Sequence, residues 1–182
     1  MQTERSWDAL RTAFFGALGF AAGNYIVDII GPLLWQSTNT GAFIAFTLWG
    51  SIGGAVLEAP SRNSRRIVFS ALVCGIGLLV GSFVGLVILP AMMGQSYVNT
   101  FPEQYAVLRQ ICLGVGLGLA FGLFIRRASA IGVFIILGVG MYIFTVTLFS
   151  KEFFEISSIP DAVRGALIGL VLGYAYGYMR KA

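Results

Sequence analysis

Residues 67–89 read IVFSALVCGIGLLVGSFVGLVIL, an apolar run of 23 residues that contains no charged side chain. In α-helical conformation such a run is about 35 Å long. The hydrocarbon core of a bilayer is about 30 Å thick, and about 20 helical residues cross it. The run therefore predicts a membrane-spanning helix.

Five further apolar runs of similar length lie on either side of this one. The strands of a membrane barrel are short alternating segments of about 10 residues, and these runs are continuous and longer. The sequence predicts an all-α, polytopic integral membrane protein that forms one transmembrane domain over residues 1–182, with six transmembrane helices at 12–34, 41–57, 67–89, 105–125, 130–149 and 162–179.

The composition supports the same class. Of the 182 residues, 57% are hydrophobic and 11% are charged, with a mean hydropathy of +0.84. A soluble domain carries about 25% charged residues. This balance excludes an ordinary soluble enzyme, a disordered chain and a nucleic-acid-binding module, so we expect the lipid bilayer as a partner and no nucleic acid.

Residue types that carry chemistry are scarce. The chain has no histidine, which removes the commonest metal ligand and the usual general base. Cys74 and Cys112 stand singly inside apolar runs, where a free cysteine behaves as a small hydrophobe. We expect no catalytic residue, no cofactor and no metal site, and therefore no enzyme.

The basic residues predict the orientation. With the N-terminus in the cytoplasm, the cytoplasmic segments hold nine Lys and Arg residues and the outer segments hold three. This is the bias of the positive-inside rule. Both termini are then cytoplasmic, and we expect a bacterial-type inner (cytoplasmic) membrane. Residues 12–34 exceed the core of a signal peptide, about 7–15 residues, which predicts a permanent first span.

Glycines recur at intervals of four in three of the predicted spans. This spacing places each set on one helix face, where small residues let two backbones approach closely. It predicts a bundle packed by glycine zippers, although the same pattern also serves as a docking face for another membrane subunit. The residues are Gly77, Gly81 and Gly85, then Gly114, Gly118 and Gly122, then Gly169, Gly173 and Gly177.

The glycine sets also suggest internal repeats. A shift of 55 residues superimposes Arg109 and the glycines that follow it on Arg164 and its glycines. In the first span, Arg11 precedes Gly16 much as Arg109 precedes Gly114. Because the first and fourth spans cross in opposite directions, this second match suggests an inverted repeat of three plus three helices, which is common in transporters.

Four polar residues are predicted at membrane depth near the outer face: Asn24, Asp28, Arg109 and Arg164. An ionisable group at such depth is costly and marks a functional candidate. The four residues either line a small binding pocket or form a structural ion pair. Glu58, at the inner end of the second span beside Arg62, Arg65 and Arg66, is expected to form an interfacial ion pair.

Three functions fit these observations. The first is a non-enzymatic membrane subunit or scaffold that packs against other integral membrane proteins or a second copy of the chain. The second is a small-solute transporter or its membrane-embedded substrate-binding subunit, and the third is a channel.

A resemblance bears on the second function. The spacing of Ala13 and Ala17, the helix count, the chain length and the cytoplasmic termini resemble the substrate-binding S components of energy-coupling-factor vitamin transporters. Those proteins dock their coupling partner through an Ala-x-x-x-Ala face on the first helix. The resemblance implies a docking face at these two alanines, and no substrate motif accompanies it.

Overall fold

The computed structural model describes residues 2–34, 39–125, 128–148 and 159–180, and almost all of them are helical. The eight α-helices are α1 Gln2–Leu34, α2 Asn39–Glu58, α3 Ser64–Phe83, α4 Leu89–Met93, α5 Gln95–Thr100, α6 Pro102–Ile125, α7 Ala128–Leu148 and α8 Ile159–Arg180. A 3₁₀ turn, Ala59–Ser61, follows α2, and one turn of π-helix, Val84–Ile88, joins α3 to α4. The prediction of an all-helical fold is confirmed over these residues.

Within the part of the chain that the structure describes, five helical segments are long and apolar enough to cross a membrane. They are Ser6–Gly31, Thr40–Ser61, Ser64–Met93, Pro102–Ile125 and Ala162–Arg180. Each contains or overlaps one of the predicted spans. The remaining predicted span, 130–149, coincides with α7, a helix of 21 residues whose described apolar segment is the shorter Ser129–Met141.

Between the third and fourth predicted spans, at residues 90–104, the chain is largely helical. It holds most of α4 and all of α5, which meet at Gly94, where φ is +80° and a residue without a Cβ is favoured. Thr100 is the last residue of α5 and does not cap the next helix. Its hydroxyl donates to the Ser96 carbonyl at 2.8 Å, and α6 begins at Pro102. The predicted connections at 36–40, 126–129 and 150–161 fall partly outside the described residues.

Six of the helices form a ring in chain order. α1, α2, α3, α6, α7 and α8 each pack against the preceding helix, and α8 packs against α1. The contacts run antiparallel: Gly81 lies against Cys112 where Gly77 lies against Gly116. Chain neighbours are therefore spatial neighbours, and the contact between α8 and α1 closes the ring.

Large apolar side chains fill the centre of the ring. Phe121 of α6 stacks on Phe134 of α7 with ring centroids 5.4 Å apart, and it contacts Phe20 and Tyr176 at 6.4 and 6.0 Å. All four side chains are at most 1% exposed. Aromatic pairs at these separations stabilise a core beyond the area that they bury.

The π-turn has a cause in the sequence. Pro90 has no N–H, and its ring clashes with the carbonyl four residues earlier, so the α-helical ladder cannot continue through it. The Leu89 N–H accordingly donates to the Val84 carbonyl, five residues back. This leaves the Gly85 carbonyl without its usual helical partner, and the Tyr105 hydroxyl of α6 donates to it at 2.8 Å.

Candidate functional site

The predicted glycines of α8, and Gly77 and Gly81 of α3, lie in the two seams that join the halves of the ring. A Cβ added at Gly16 would meet the carbonyl of Gly169, and one added at Gly169 would meet the carbonyl of Gly16. Gly77 of α3 and Gly116 of α6 oppose each other in the same reciprocal way. At both places the two helix backbones are in contact, which only glycine allows.

These two seams have the same register. Adding 100 to Thr12 and Gly16 of α1 gives Cys112 and Gly116 of α6. Adding 92 to Gly77, Gly81 and Gly85 gives Gly169, Gly173 and Gly177 of α8. Gly173 contacts Thr12 as Gly81 contacts Cys112. The register relates α1 to α6 and α3 to α8, and the two helices of each related pair run in opposite directions. The contacts therefore have the pattern of an inverted repeat of three plus three helices.

The register corrects the alignment suggested by the sequence. That alignment pairs Gly16 with Gly114, whereas the contacts pair Gly16 with Gly116. The reason is that α6 has two glycine faces. Gly116 faces α3, and Gly114 faces the backbone of Gly138 in α7.

The remaining predicted glycines lie against neighbouring helices as well. Gly118 and Gly122 face α7, where an added Cβ would stand 2.5 Å from the Phe134 carbonyl and 2.5 Å from the Ile131 Cα. Gly85 and Gly177 lie at the far ends of the α3–α6 and α8–α1 seams.

Sequence reasoning also missed glycines of the same kind in α1 and α2, among them two pairs. Gly19 and Gly23 of α1 lie against α2, and Gly50 and Gly54 of α2 lie against the backbone of α3. Both pairs have the interval of four used elsewhere, so the same signal was present in the first two predicted spans.

The outward face of α7 is different. At Gly132 and Gly140, no atom of the described residues outside the surrounding turns of α7 lies within 4 Å of the position that a Cβ would occupy. Ile136, midway between them, is 73% exposed. This face therefore presents two open glycines around one exposed side chain, whereas the opposite face of α7 packs through Gly138 against α6.

The predicted outer polar residues are divided between opposite sides of the ring. The Cγ of Arg109 lies 3.0 Å from an added Cβ at Gly85, which places Arg109 in the α3–α6 seam. Arg164 precedes Gly165, which faces the backbone of Phe20 in the α8–α1 seam. Asn24 and Asp28 stand one and two turns beyond Phe20 on the same helix. Their position favours Arg164 over Arg109 as a partner for Asp28, and the pairing itself stays a prediction.

A second polar cluster lies at the other end of the ring and includes Glu58. The Glu58 side chain is 1% exposed. Its Oε1 accepts hydrogen bonds from the Tyr176 hydroxyl and from Nη1 of Arg180, the latter at 3.1 Å. Its Oε2 is buried and has no hydrogen-bond partner among the described residues. The ion pair expected of Glu58 exists, but with Arg180 of the last helix and not with Arg62, Arg65 or Arg66.

Local sequence explains this cluster. Tyr176 and Arg180 are four residues apart, so they lie on one face of α8. Glu58 ends α2 immediately before the 3₁₀ turn that contains Pro60. The guanidinium carbon of Arg180 also lies 5.9 Å from the centroid of the Tyr176 ring, within the range of a cation–π contact.

A cleft of about 580 Å³ opens beside this cluster, between the start of α3 and the ends of α6 and α8. We call it the basic cleft. Its polar wall includes three arginines, and its apolar wall includes Phe69 and Phe124, whose rings stack with centroids 5.5 Å apart. The lining residues are Asn63, Arg65, Arg66, Phe69, Phe124, Ile125, Tyr176, Met179 and Arg180.

Two further observations concern metal binding and the docking face predicted on α1. Within the described ranges, no group of three or more His, Cys, Asp or Glu residues is placed to hold a metal ion. The Ala13 and Ala17 face of α1 is covered by α8: added Cβ atoms at Gly173 and Gly169 would lie 3.1 Å from the Ala13 Cα and 3.0 Å from the Ala17 nitrogen. This face is therefore not open for docking a coupling partner.

Comparisons with protein families, with curated proteins and with solved structures find no match to this chain. The proposed function therefore rests on the geometry described above.

Proposed function

We propose that this chain is a non-enzymatic integral membrane protein with six spans that serves as a subunit or scaffold of a membrane protein complex. Both termini face the cytoplasm, and the membrane is of the bacterial inner (cytoplasmic) type. The partners are the lipid bilayer and other integral membrane subunits or a second copy of the chain, without nucleic acid. α7, 21 residues long, provides the span that completes the six.

The observation that carries this proposal is the outward face of α7. Lipid supplies no hydrophobic force between helices, so small residues that permit close backbone approach are what hold two membrane helices together. The α3, α6 and α8 glycines predicted to pack helices are engaged with neighbouring helices of the ring, whereas Gly132 and Gly140 are open. A partner helix laid on this face would reach backbone contact on both sides of Ile136.

The filled centre of the ring favours a packed subunit over a channel. Phe20, Phe121, Phe134 and Tyr176 meet there with negligible exposure. Conduction needs a polar or water-filled path, and these four side chains offer an apolar barrier at its place.

Substitution on the two faces of α7 tests the proposal. Gly140→Leu adds a side chain where the described residues leave open space, so we expect unchanged thermal stability and loss of the associated subunit or of the oligomer. Gly138→Leu is the matched control: it collides with Gly114 and lowers stability. Native mass spectrometry after purification in mild detergent reads both. A wild-type protein that purifies as a single chain, or a Gly140→Leu variant that keeps its partner, excludes the proposal.

A second candidate, a small-solute transporter, is favoured by the inverted register of the α8–α1 and α3–α6 seams. In transporters with inverted repeats, substrate binds near the midplane between the repeats. Asp28→Asn separates the two roles of the outer polar residues. A transport site predicts a stable variant that has lost solute binding, whereas a structural ion pair predicts a destabilised variant and no bound solute in the wild type.

A further inference from the structure

The basic cleft continues into an apolar groove on the exposed face of α3. The groove has a volume of about 400 Å³ and is lined by Ser64, Arg65, Val68, Phe69 and Leu72. Arg65 and Phe69 line both cavities. A single elongated ligand can therefore place a polar end in the cleft and an apolar end in the groove.

The cleft has an excess of positive charge. Arg180 is paired with Glu58, whereas the guanidinium groups of Arg65 and Arg66 have no hydrogen bond or ion pair among the described residues. The backbone N–H groups of both residues already donate to Oδ1 of Asn63, at 3.1 and 3.3 Å. The two side chains, and not the helix amides, are thus the groups available to an anion.

The groove has the opposite character. Val68 and Leu72 are one turn apart on α3 and are 58% and 56% exposed, and Phe69 beside them is 47% exposed. These residues belong to a segment long and apolar enough to span the membrane, so the groove faces the hydrocarbon region. Its length follows the direction in which a lipid chain runs from the headgroup level.

The geometry points to a binding site for one anionic phospholipid. Its phosphate lies between Arg65 and Arg66 in the basic cleft, and an acyl chain follows Val68, Phe69 and Leu72. Arginine binds phosphate through charge-assisted and often bidentate hydrogen bonds. Basic pockets between spanning helices on the cytoplasmic side are suited to anionic headgroups. The site requires insertion in a bilayer and is independent of any partner at α7.

Native mass spectrometry tests this site on the purified full chain, with long-chain phosphatidylglycerol as the probe and phosphatidylcholine as the neutral comparison. We expect the wild type to retain one phosphatidylglycerol in preference to phosphatidylcholine. The Arg65→Gln/Arg66→Gln variant should bind it roughly 30-fold more weakly, since each arginine near an anionic lipid contributes about 1 kcal/mol. Both residues are exposed, and an unchanged melting temperature verifies that the variant is folded.

Arg62→Gln provides the matched control. Arg62 carries the same charge on the same connection and does not line either cavity. It should leave lipid binding unchanged, and equal weakening by Arg62→Gln would reduce the effect to general surface charge and overturn the site. Dihexanoyl phosphatidylglycerol should bind more weakly than the long-chain lipid. If it binds equally well, or if millimolar inorganic phosphate displaces the lipid, the ligand is a free phosphate group and the lipid assignment is wrong.

Discussion

The seams of the ring differ in how they are built. At the α1–α2, α2–α3, α3–α6, α6–α7 and α8–α1 seams, glycines lie against the backbone or side chains of the next helix. At the α7–α8 seam, the described glycines of α8 have their nearest atoms in α1, and Gly138 of α7 has its nearest atoms in α6. Because close approach is the main source of helix association in lipid, α7 and α8 are the neighbours least firmly joined.

This difference shows how each half of the ring is held. The first half, α1 to α3, has glycine contacts within it and at both of its ends. In the second half, α8 is held by α1 on one side and by the hydrogen bonds from Tyr176 and Arg180 to Glu58 of α2. α8 is thus tied more firmly to the first half of the chain than to α7, its own neighbour in sequence.

The largest expected effect tests that link from α8 to α2. Arg180→Met leaves the buried carboxylate of Glu58 without its cation. Breaking a buried pair costs 3–5 kcal/mol, and because Arg180 is itself 31% exposed we expect a loss of about 3 kcal/mol in the free energy of unfolding. Denaturation in detergent micelles measures it.

The double variant Glu58→Gln/Arg180→Met supplies the control. It removes both charges and keeps an acceptor for the Tyr176 hydroxyl, so most of the lost stability should return. If the double variant is as unstable as Arg180→Met alone, the loss comes from the packing of the arginine side chain and not from an uncompensated Glu58.

The next effect compares the two seams related by the inverted register. An added Cβ would stand 2.5 Å from the Thr12 carbonyl at Gly173 and 2.6 Å from the Cys112 carbonyl at Gly81. Overpacking costs about 1–3 kcal/mol, so Gly173→Leu and Gly81→Leu should each lower the free energy of unfolding within this range. The two losses should be similar, because the two seams are equivalent. Gly132→Leu, on the open face of α7, should leave stability unchanged. Clearly unequal losses at Gly173 and Gly81 would contradict the equivalence of the seams.

Much of this architecture can be read from the sequence because it is local. Apolar runs of 17 residues or more mark the helices, and an interval of four marks the faces on which glycines pack. The interval does not say which neighbour a face meets, so the sequence could not distinguish the two glycine faces of α6.

The polar sites depend on long-range contacts and were predicted less well. Glu58 and Arg180 are 122 residues apart in sequence. Three arginines lie much closer to Glu58 along the chain, so the sequence predicts the ion pair and does not identify Arg180 as the partner. The basic cleft likewise arises only when the start of α3 meets the ends of α6 and α8. α4 and α5 were missed because neither is long or apolar enough to stand out as a span.

The smallest effect tests the end of the α3–α6 seam at the π-turn, where Gly85 corresponds in the inverted register to Gly177 of the α8–α1 seam. Tyr105→Phe removes the hydroxyl that donates to the Gly85 carbonyl and leaves this buried acceptor unsatisfied. We expect a loss of about 1 kcal/mol, the usual worth of one such hydrogen bond. Tyr97→Phe is the matched control, because the Tyr97 hydroxyl donates to Gln104 at an exposed site where water can replace it.

Pro90→Ala tests the cause of the π-turn, because it restores the N–H whose absence opened the turn. In that background the Gly85 carbonyl can return to the helical ladder, so Tyr105→Phe should lower stability less. An equal cost in both backgrounds would show that the π-turn does not depend on Pro90.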